Sequence, residues 1–365
     1  MENIKNTYII ITTINPPTKA VKTFASYDNY QLVVVGDKKT TLDWSCPPSI
    51  FLPTETHDKL GFQLGKYLPF NHYGRKMIGY LRAIQQGAQC IIDTDDDNIP
   101  KDKHYAFPAF KGYFDTFSNT IGYANVYSYY TDKPLWPRGF PLPLLRNLDT
   151  RIEKHDLKKQ QRKIGIWQGL ADGDPDVDAI YRLIDNTPCH FLDKSPIVLE
   201  KEIYCPFNSQ NTAFIKPLFP LLYLPAYVTF RFTDILRGLV AQPIMQLYGY
   251  HLGFTKATVF QERNPHDYLK DFESEIPCFL YAEKVINAVK TVVSNKLSIE
   301  ENLLAAYKEL IRVNIVPEKE EVLLEAWFAD LKELDIKMWP AEYETASLKP
   351  KDIEILSLQG NSKNL

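Results

Sequence analysis

The feature that most constrains this chain is CIIDTDDDNIP, residues 90–100, in which a short apolar run delivers four aspartates within five residues. Such carboxylates repel one another unless a cation lies between them, and hard oxygen ligands suit Mg²⁺ or Mn²⁺. Because side chains alternate along an extended segment, we expect Asp93, Asp95 and Asp97 to face one way and Asp96 the other. The segment predicts a strand that ends in a divalent-metal site, with a solvated acidic turn as the alternative.

Strand and helix patterns alternate over the first hundred residues. The β-rich runs 8–13 and 31–35 are followed by the turn residues Asn15 and Asp37, and residues 73–86 show helical spacing before the acidic strand. Alternation of this kind predicts an α/β fold, with a mixed, mainly parallel sheet flanked by helices. Ligands of such sheets bind beyond the carboxyl ends of the strands.

The later chain divides by composition and periodicity. Residues 101–201 are rich in aromatics and prolines, and we expect loops there with strands around residues 120–130. Three later segments have the 3.6-residue periodicity of helices: 281–293, 299–313 and 318–334. We therefore expect a main domain at 1–277, a helical extension at 278–350 packed on it, and a frayed tail at 351–365.

Composition narrows the functional classes. The net charge is −3, so a basic surface for nucleic acid is not expected. Five scattered cysteines without a CxxC pair favour a reducing compartment and disfavour zinc. The most apolar stretch, residues 214–230, is interrupted by three prolines, and we see no signal peptide at the N-terminus. We expect a cytoplasmic protein with no membrane span, and the sequence leaves a homo-oligomer open.

Six runs of the sequence together resemble the glycosyltransferase-like domain of the STELLO family. They are GFQLGKYLPFNHYGRKMIGYLRAIQQGA, CIIDTDDD, IWQGLADGDPDVDAIYRL, PFNSQNTAF, PAYVTFRFTDILRGLVAQ and EAWFADLKEL. They occur in the same order and cover most of residues 8–339. The acidic motif also resembles, more distantly, that of UDP-arabinopyranose mutases, the reversibly glycosylated polypeptides, and of GT-A glycosyltransferases. The resemblance implies a GT-A, Rossmann-like domain that binds a nucleotide sugar, and we expect no N-terminal membrane anchor of the kind found in the plant proteins.

The resemblance also implies roles for the acidic residues. In the related proteins an Asp-X-Asp motif holds the divalent ion, which neutralises the diphosphate leaving group. Two registers stay open in this chain, Asp93 with Asp95 or Asp95 with Asp97. The position of Ile99 before Pro100 favours the second, with Asp95 near the ribose and the metal and Asp97 as a direct ligand.

Donor-binding residues are expected at strand ends and at one helix start. Arg75 and Lys76 begin a predicted helix, where exposed N–H groups and the dipole favour phosphate oxygens; solvent-facing basic residues are the alternative. Asn15 and Asp37 would flank the base and the ribose, or serve only as turn residues.

An inverting transfer needs a base for the acceptor hydroxyl, and Asp234 is our candidate. In RFTDILRG it resembles the aspartate that precedes a helix in inverting GT-A enzymes, with Arg237 one turn on to orient it or to contact phosphate. The alternative is a helix-start aspartate that is stabilised only by the helix dipole.

Polar and aromatic residues elsewhere are candidates for the sugar pocket or the metal shell. For each of them a structural role is the alternative: a buried hydrogen-bond network for the polar cluster and core packing for the tryptophan. The sugar-pocket candidates are Trp167, Gln168, Asp176, Asn208, Ser209, Gln210, Asn211 and Arg231. His251 and His266 could complete the metal shell, although a lone histidine is more often structural.

Three functional classes fit these patterns. The leading one is a metal-dependent, inverting hexosyl- or pentosyltransferase that moves a sugar from a UDP-type donor to a glycan or other hydroxyl acceptor, with Mn²⁺ or Mg²⁺ as cofactor. A nucleotide-sugar mutase is the second, but it requires an arginine that the sequence does not identify. The third is a non-catalytic scaffold, against which the intact acidic cluster and Asp234 argue.

Overall fold

A computed structural model describes residues 6–262 and 267–334, and within them the chain is a mixed α/β protein with one ten-stranded sheet. Its strands are β1 Thr7–Thr13, β2 Gln31–Gly36, β3 Ile50–Leu52, β4 Cys90–Thr94, β5 Asn98–Pro100, β6 Lys111–Phe117, β7 Lys158–Gly173, β8 Ile197–Leu199, β9 Asn211–Ile215 and β10 His251–Gln261. Its α-helices are α1 Lys19–Ala25, α2 Thr54–His57, α3 Gln63–Tyr67, α4 Lys76–Gln85, α5 Tyr127–Tyr130, α6 Ala179–Ile184, α7 Thr233–Leu247, α8 Tyr268–Val292, α9 Ile299–Arg312 and α10 Glu320–Glu333.

The sheet is parallel at one end and mixed at the other. Its order is β3-β2-β1-β4-β9-β7-β6-β8-β10-β5, and β3, β2, β1 and β4 are parallel neighbours. The mixed α/β class is confirmed. Beyond the N-terminal strands the pairing is mixed, because β9 is antiparallel to both β4 and β7, whereas β7 with β10 and β6 with β8 are parallel. Helices connect the parallel pairs β1–β2 and β1–β4, whereas the antiparallel strands β6 and β7 are joined by a segment whose helices are all short, among them α5.

Both faces of the sheet are covered. Alternate residues of β1 enter different cores: Ile10 belongs to the larger cluster with α4, and Ile9 to the smaller cluster with α1. Gly79 lets α4 approach the sheet closely, since a Cβ there would lie 2.6 Å from Cγ2 of Ile10 and 2.8 Å from Cγ2 of Val35. Burial on both faces therefore explains the continuous apolar runs of the first strands.

Two sequence-based boundaries differ from the structure. No strand is present at residues 120–130 of the described chain: β6 ends at Phe117, and Tyr127–Tyr130 forms the short helix α5. All three tyrosines of this four-residue helix are buried, so packing outweighs their strand propensity. The second difference concerns α8, which begins at Tyr268 after the capping residue Asp267, so position 278 lies inside one continuous helix.

The C-terminal helices pack on the main domain through apolar faces and buried carboxylates. Asp330 of α10 accepts hydrogen bonds from the backbone N–H groups of Gln63 and Leu64, at 2.7 and 2.8 Å, and so caps α3 from outside that helix. The rest of the predicted extension and the predicted tail, residues 335–365, lie outside the described residues. No helix in the described ranges is long and apolar enough to cross a membrane.

We expect Asp330→Ala to lower the free energy of unfolding by about 1–3 kcal/mol, because two buried N–H groups at the start of α3 lose their acceptors. Urea unfolding of the full chain measures this. The matched control is Glu333→Ala, which removes an exposed carboxylate from the same helix. Equal stability of both variants would mean that α10 does not support α3.

Candidate active site

Two adjoining clefts open at the carboxyl ends of β1, β2 and β4. The first has a volume of about 350 Å³ and the second about 330 Å³. The first is bounded by the ends of those strands, and the second by the end of β7 and the start of α8. Five residues line both: Asp95, Asp97, Arg138, Arg231 and Asp234. The position agrees with the general rule for ligands of open α/β sheets.

The aspartates after β4 do not share one face. The strand ends at Thr94, and Asp96 and Asp97 form a turn, so the predicted alternation stops after Asp93. Asp93 is 0% exposed and lies 2.6 Å from Lys76 and 2.7 Å from Arg237. Both of its oxygens are thus held by buried cations, which corrects its prediction as a metal ligand.

Asp95 and Asp97 face the clefts. Asp95 accepts hydrogen bonds from Tyr73 and Lys76, each at 3.0 Å, and its side chain remains 29% exposed. Burial, opposed by Lys76 and reinforced by Asp97 and Asp93, raises the pKa of Asp95 to about 7. Burial also raises the pKa of Asp97, although Gln261 donates a hydrogen bond to it at 2.9 Å. The turn therefore presents two neighbouring, largely buried carboxylates at the wall of both clefts.

The two basic residues at the start of α4 are buried and bind partners inside the protein. Arg75 is completely buried and donates hydrogen bonds to the carbonyl of Leu68 at 3.0 Å and to His57 at 2.6 Å. Lys76 is equally buried between Asp93 and Asp95. Neither side chain lines a cleft, which corrects their predicted role in phosphate binding. The reason is that α4 packs its first turn into the core instead of exposing it.

Asn15 and Asp37, predicted to flank the base and the ribose, both line the first cleft. Asn15 follows β1 and donates a hydrogen bond at 3.0 Å to Asp96, which also accepts one from Thr13. Asp37 follows β2 and accepts hydrogen bonds from the backbone N–H groups of Lys38 at 2.7 Å and His72 at 3.1 Å. Both residues thus order turns and reach the cleft at the same time.

Asp234, at the start of α7, lies where the clefts meet. Arg138 donates to its two carboxylate oxygens at 3.1 and 3.0 Å, and the backbone N–H of Ser209 donates at 3.2 Å. Although burial raises it, the pKa of Asp234 is lowered overall by the charge and hydrogen bonds of Arg138 and by Arg237. The carboxylate is therefore ionised at neutral pH and held in one orientation.

Arg237, which the sequence predicted to orient Asp234 or to contact phosphate, does not contact Asp234. Arg237 is buried, and its donors reach Asp93 at 2.7 Å and the carbonyl of Asn208 at 3.1 Å, not Asp234. Because α7 turns this side chain toward the sheet, Arg237 neutralises a core aspartate. The residue that orients Asp234 is Arg138, which also binds Asp176 through two hydrogen bonds of 2.7 and 2.8 Å.

Three members of the predicted sugar pocket line a cleft: Asp176 and Gln210 the second, and Arg231 both. The others support them from behind. Trp167 is fully buried in the smaller core, and its indole N–H donates to the carbonyl of Ala109 at 3.3 Å. The remaining supporting residues are Gln168, Asn208, Ser209 and Asn211, none of which lines either cleft.

These supporting residues form a buried polar network, which was the alternative interpretation. Gln168 accepts hydrogen bonds from the backbone of Asn208 at 3.1 Å and from Thr212 at 2.8 Å. Asn208 in turn donates to Asp176 at 2.7 Å. Asn211 accepts a hydrogen bond from Tyr105 at 2.6 Å. The network positions Asp176, and its members lie behind the cleft walls, which corrects their prediction as sugar-contacting residues.

The histidines add nothing to a metal shell in the described structure. His251 is the first residue of β10, far along the strand from the cleft-lining Gln261, and it bonds the carbonyl of Leu199 at 3.0 Å. His266 lies outside the described residues. Within residues 6–262 and 267–334, no group of three or more histidine, cysteine or acidic residues is arranged to hold a metal ion.

The sequence reasoning missed Arg138, Tyr73 and Gln261. Arg138 follows a proline in an irregular segment, and its carboxylate partners are 38 and 96 residues away, so no local pattern indicates it. Tyr73 could have been chosen from the sequence, because it lies in the same run as Arg75 and begins the helix predicted at residues 73–86. Gln261 is found only through the pairing of β10 with β5, which places it beside the acidic turn.

Sequence comparisons agree with the resemblance. A sequence model of the family described as STELLO glycosyltransferases matches residues 231–347, which include Arg231 and Asp234. "Probable glycosyltransferase STELLO1" of Arabidopsis thaliana is 30% identical over 264 residues, 67% of this chain and 34% of that protein. "Probable glycosyltransferase STELLO2" of the same plant is 26% identical over 344 residues, 89% of this chain and 44% of that protein.

The chain thus spans between about a third and less than half of the length of these curated relatives. A solved structure titled "Crystal Structure of a Mycobacterial Protein" aligns over 80% of this chain and 77% of that chain, with a TM-score of 0.38 and 10% identity. The sequence relationship is the stronger finding, and it confirms the family predicted from the motifs. By sequence, this chain belongs to the STELLO-type, glycosyltransferase-like family.

Proposed function

We propose that this chain is a GT-A glycosyltransferase that moves a sugar, with inversion, from a UDP-type donor to a glycan or other hydroxyl acceptor. The observation that carries the proposal is the position of Asp234. Its ionised carboxylate lies at the junction of two clefts, beside Asp95 and Asp97. One cleft can then hold the donor and the other the acceptor, with the base between them.

The donor is assigned to the first cleft because its strand-end residues offer nucleoside contacts. Asn15, Asp37 and Asn71 supply hydrogen-bonding groups at its wall, and Phe230 supplies an exposed aromatic ring. The acceptor is assigned to the second cleft, where Asp176 and Gln210 can bind hydroxyl groups. Family membership supports both a sugar donor and an acceptor.

The residues present fit a divalent ion that takes only one or two of its ligands from the protein. Mg²⁺ commonly uses one or two carboxylates and completes its shell with substrate phosphates and water, so three acidic ligands are not required. Asp95 and Asp97 would hold the ion, since burial and the neighbouring carboxylates raise the pKa of Asp95 and a cation beside them would offset that repulsion. When bound, Mn²⁺ or Mg²⁺ would neutralise the charge of the diphosphate leaving group.

The remaining chemistry belongs to the chain. Asp234 accepts the proton of the acceptor hydroxyl as that oxygen attacks the anomeric carbon, and the bond from this carbon to the diphosphate breaks. Arg138 keeps Asp234 ionised and oriented, since its guanidinium is fixed by Asp176 on the other side. Because its pKa is lowered, Asp234 is a weak base, and its contribution to the reaction rate comes from its position.

Two alternative functions use the same clefts differently. A nucleotide-sugar mutase would isomerise the donor without an acceptor, and Arg138 or Arg231 would be the arginine that the sequence did not identify. A scaffold would bind another protein and turn over nothing. Mixing the full chain with UDP-sugars, Mn²⁺ and a panel of glycan acceptors separates the classes. Acceptor-dependent UDP release supports the transferase, isomerised donor supports the mutase, and inertness toward every donor supports the scaffold.

UDP binding is expected to require both the divalent ion and the acidic turn. By calorimetry, UDP should bind the wild type in Mn²⁺, lose at least about tenfold in affinity in EDTA, and lose a similar amount in Asp97→Ala with Mn²⁺, because the ion links carboxylate to phosphate. The control is Asp193→Ala, which removes an exposed surface carboxylate. Equal UDP affinity in all four experiments would exclude a metal at Asp97.

A further inference from the structure

The first cleft has fewer cationic than acidic side chains, so it lacks the positive charge that would neutralise a diphosphate. Among the described residues that line it, Asp37, Asp95, Asp96, Asp97 and Asp234 are acidic, against Lys39, Arg138 and Arg231. Arg138 already binds the carboxylates of Asp176 and Asp234, so its charge is matched within the protein. One divalent ion at the acidic turn would still leave a phosphate group facing aspartates. A second cation is therefore needed near the junction of the clefts.

Arg231 meets that need by position. It lines both clefts, and its side chain is 23% exposed. Its Nε and Nη2 atoms donate to Glu275 at 2.9 and 2.7 Å. Its Nη1 has no hydrogen-bond partner within residues 6–262 and 267–334. A guanidinium that is held along one edge keeps its other edge for two oxygens of a phosphate group.

Glu275 holds this guanidinium from behind. It lies on α8, is 0% exposed, and accepts a second hydrogen bond from the backbone N–H of Ala179 at 2.6 Å. That bond ties it to the first residue of α6, so the carboxylate is fixed by two separate elements. Because Glu275 cannot reach solvent, it can fix the direction of Arg231 without competing for the ligand.

We propose that Arg231 binds the diphosphate of the donor and that Glu275 of α8 is its positioning residue. The proposal rests on the proposed function, and it moves the phosphate contact from Arg75 and Lys76, which are buried, to the segment between the clefts. It also gives α8 a part in donor binding. The arginine then neutralises charge on the side of the diphosphate away from Asp95 and Asp97.

Calorimetry of the full chain in Mn²⁺ with UDP, uridine and pyrophosphate tests this. Arg231→Lys should weaken UDP and pyrophosphate binding about tenfold or more and leave uridine binding unchanged, since only the diphosphate contact is lost. Glu275→Gln should weaken UDP less, while uridine again stays constant. A general structural defect would weaken all three ligands together. The matched control is Arg312→Lys, because Arg312 forms a similar two-bond pair with Glu309 on the surface of α9.

The other outcomes each overturn the proposal. UDP affinity that is unchanged in folded Arg231→Lys would remove Arg231 from phosphate binding. Selective loss of UDP in Lys39→Ala, with Arg231→Lys like the wild type, would place the diphosphate at the end of β2 instead. If the wild type binds UDP and uridine equally, no phosphate contact exists. If it binds none of the three ligands, the proposed function itself fails, and the role of Arg231 with it.

Discussion

Replacing Asp234 with asparagine is expected to lower transfer to an acceptor about a hundredfold or more, the range of a positioned general base. Asparagine is nearly isosteric but cannot take the hydroxyl proton at neutral pH. The fold should persist, because Arg138 keeps its two hydrogen bonds to Asp176. The measurement is UDP release from a donor sugar with and without acceptor, followed by chromatography of the nucleotide-sugar products.

Donor affinity is the internal control for this variant. UDP should bind Asp234→Asn about as well as the wild type, since the diphosphate is assigned to the acidic turn and Arg231. Unchanged transfer would remove Asp234 from the mechanism. Acceptor-independent isomerisation of the donor by the wild type would replace the transferase with the mutase, and a scaffold would show no turnover to lose.

Replacing Asp93 with alanine is expected to lower the free energy of unfolding by about 3–5 kcal/mol, because Lys76 and Arg237 would remain buried without their carboxylate. Urea unfolding of the full chain measures this loss. The corresponding surface pair supplies the control: Asp193 is largely exposed beside Lys256, so Asp193→Ala should change stability far less.

A double-mutant cycle separates the charge pair from the loss of packing. Lys76→Met and Asp93→Asn should each destabilise the protein, and the double variant should lose less than the sum of the two, since it removes both charges of one pair. If Asp93→Ala instead keeps wild-type stability and only abolishes Mn²⁺-dependent UDP binding, Asp93 is a metal ligand after all and the first register of the motif applies.

Local patterns were sufficient for several elements of the first hundred residues, although not for the short strand β3 or the short helices α2 and α3. Apolar runs that end in turn residues marked β1 and β2, and helical spacing marked α4 to within a few residues. These signals depend on contacts close in sequence, so they are readable without the fold. The strands expected at residues 120–130 show the opposite case, because burial of the tyrosines of α5 depends on distant partners.

The residues of the candidate site show the same difference between local patterns and distant contacts. Residues that follow strand ends or begin a helix, such as Asn15, Asp97 and Asp234, could be chosen from the sequence because their type and place suggest chemistry. The sequence did not show which charged residues are available to a ligand. Arg75 and Arg138 are both arginines, yet the first is buried in the core and the second orients Asp234.

The sequence alone determined the family, the α/β class and the place of the acidic turn, because motif order, hydrophobic period and strand-end residues are local properties of the chain. Only the tertiary structure decided which charges pair. Lys76 and Arg237 converge on Asp93 from α4 and α7, and Glu275 reaches Arg231 from α8, across 44 residues. Such pairs form where helices and strands meet in space, and burial makes their partners obligatory.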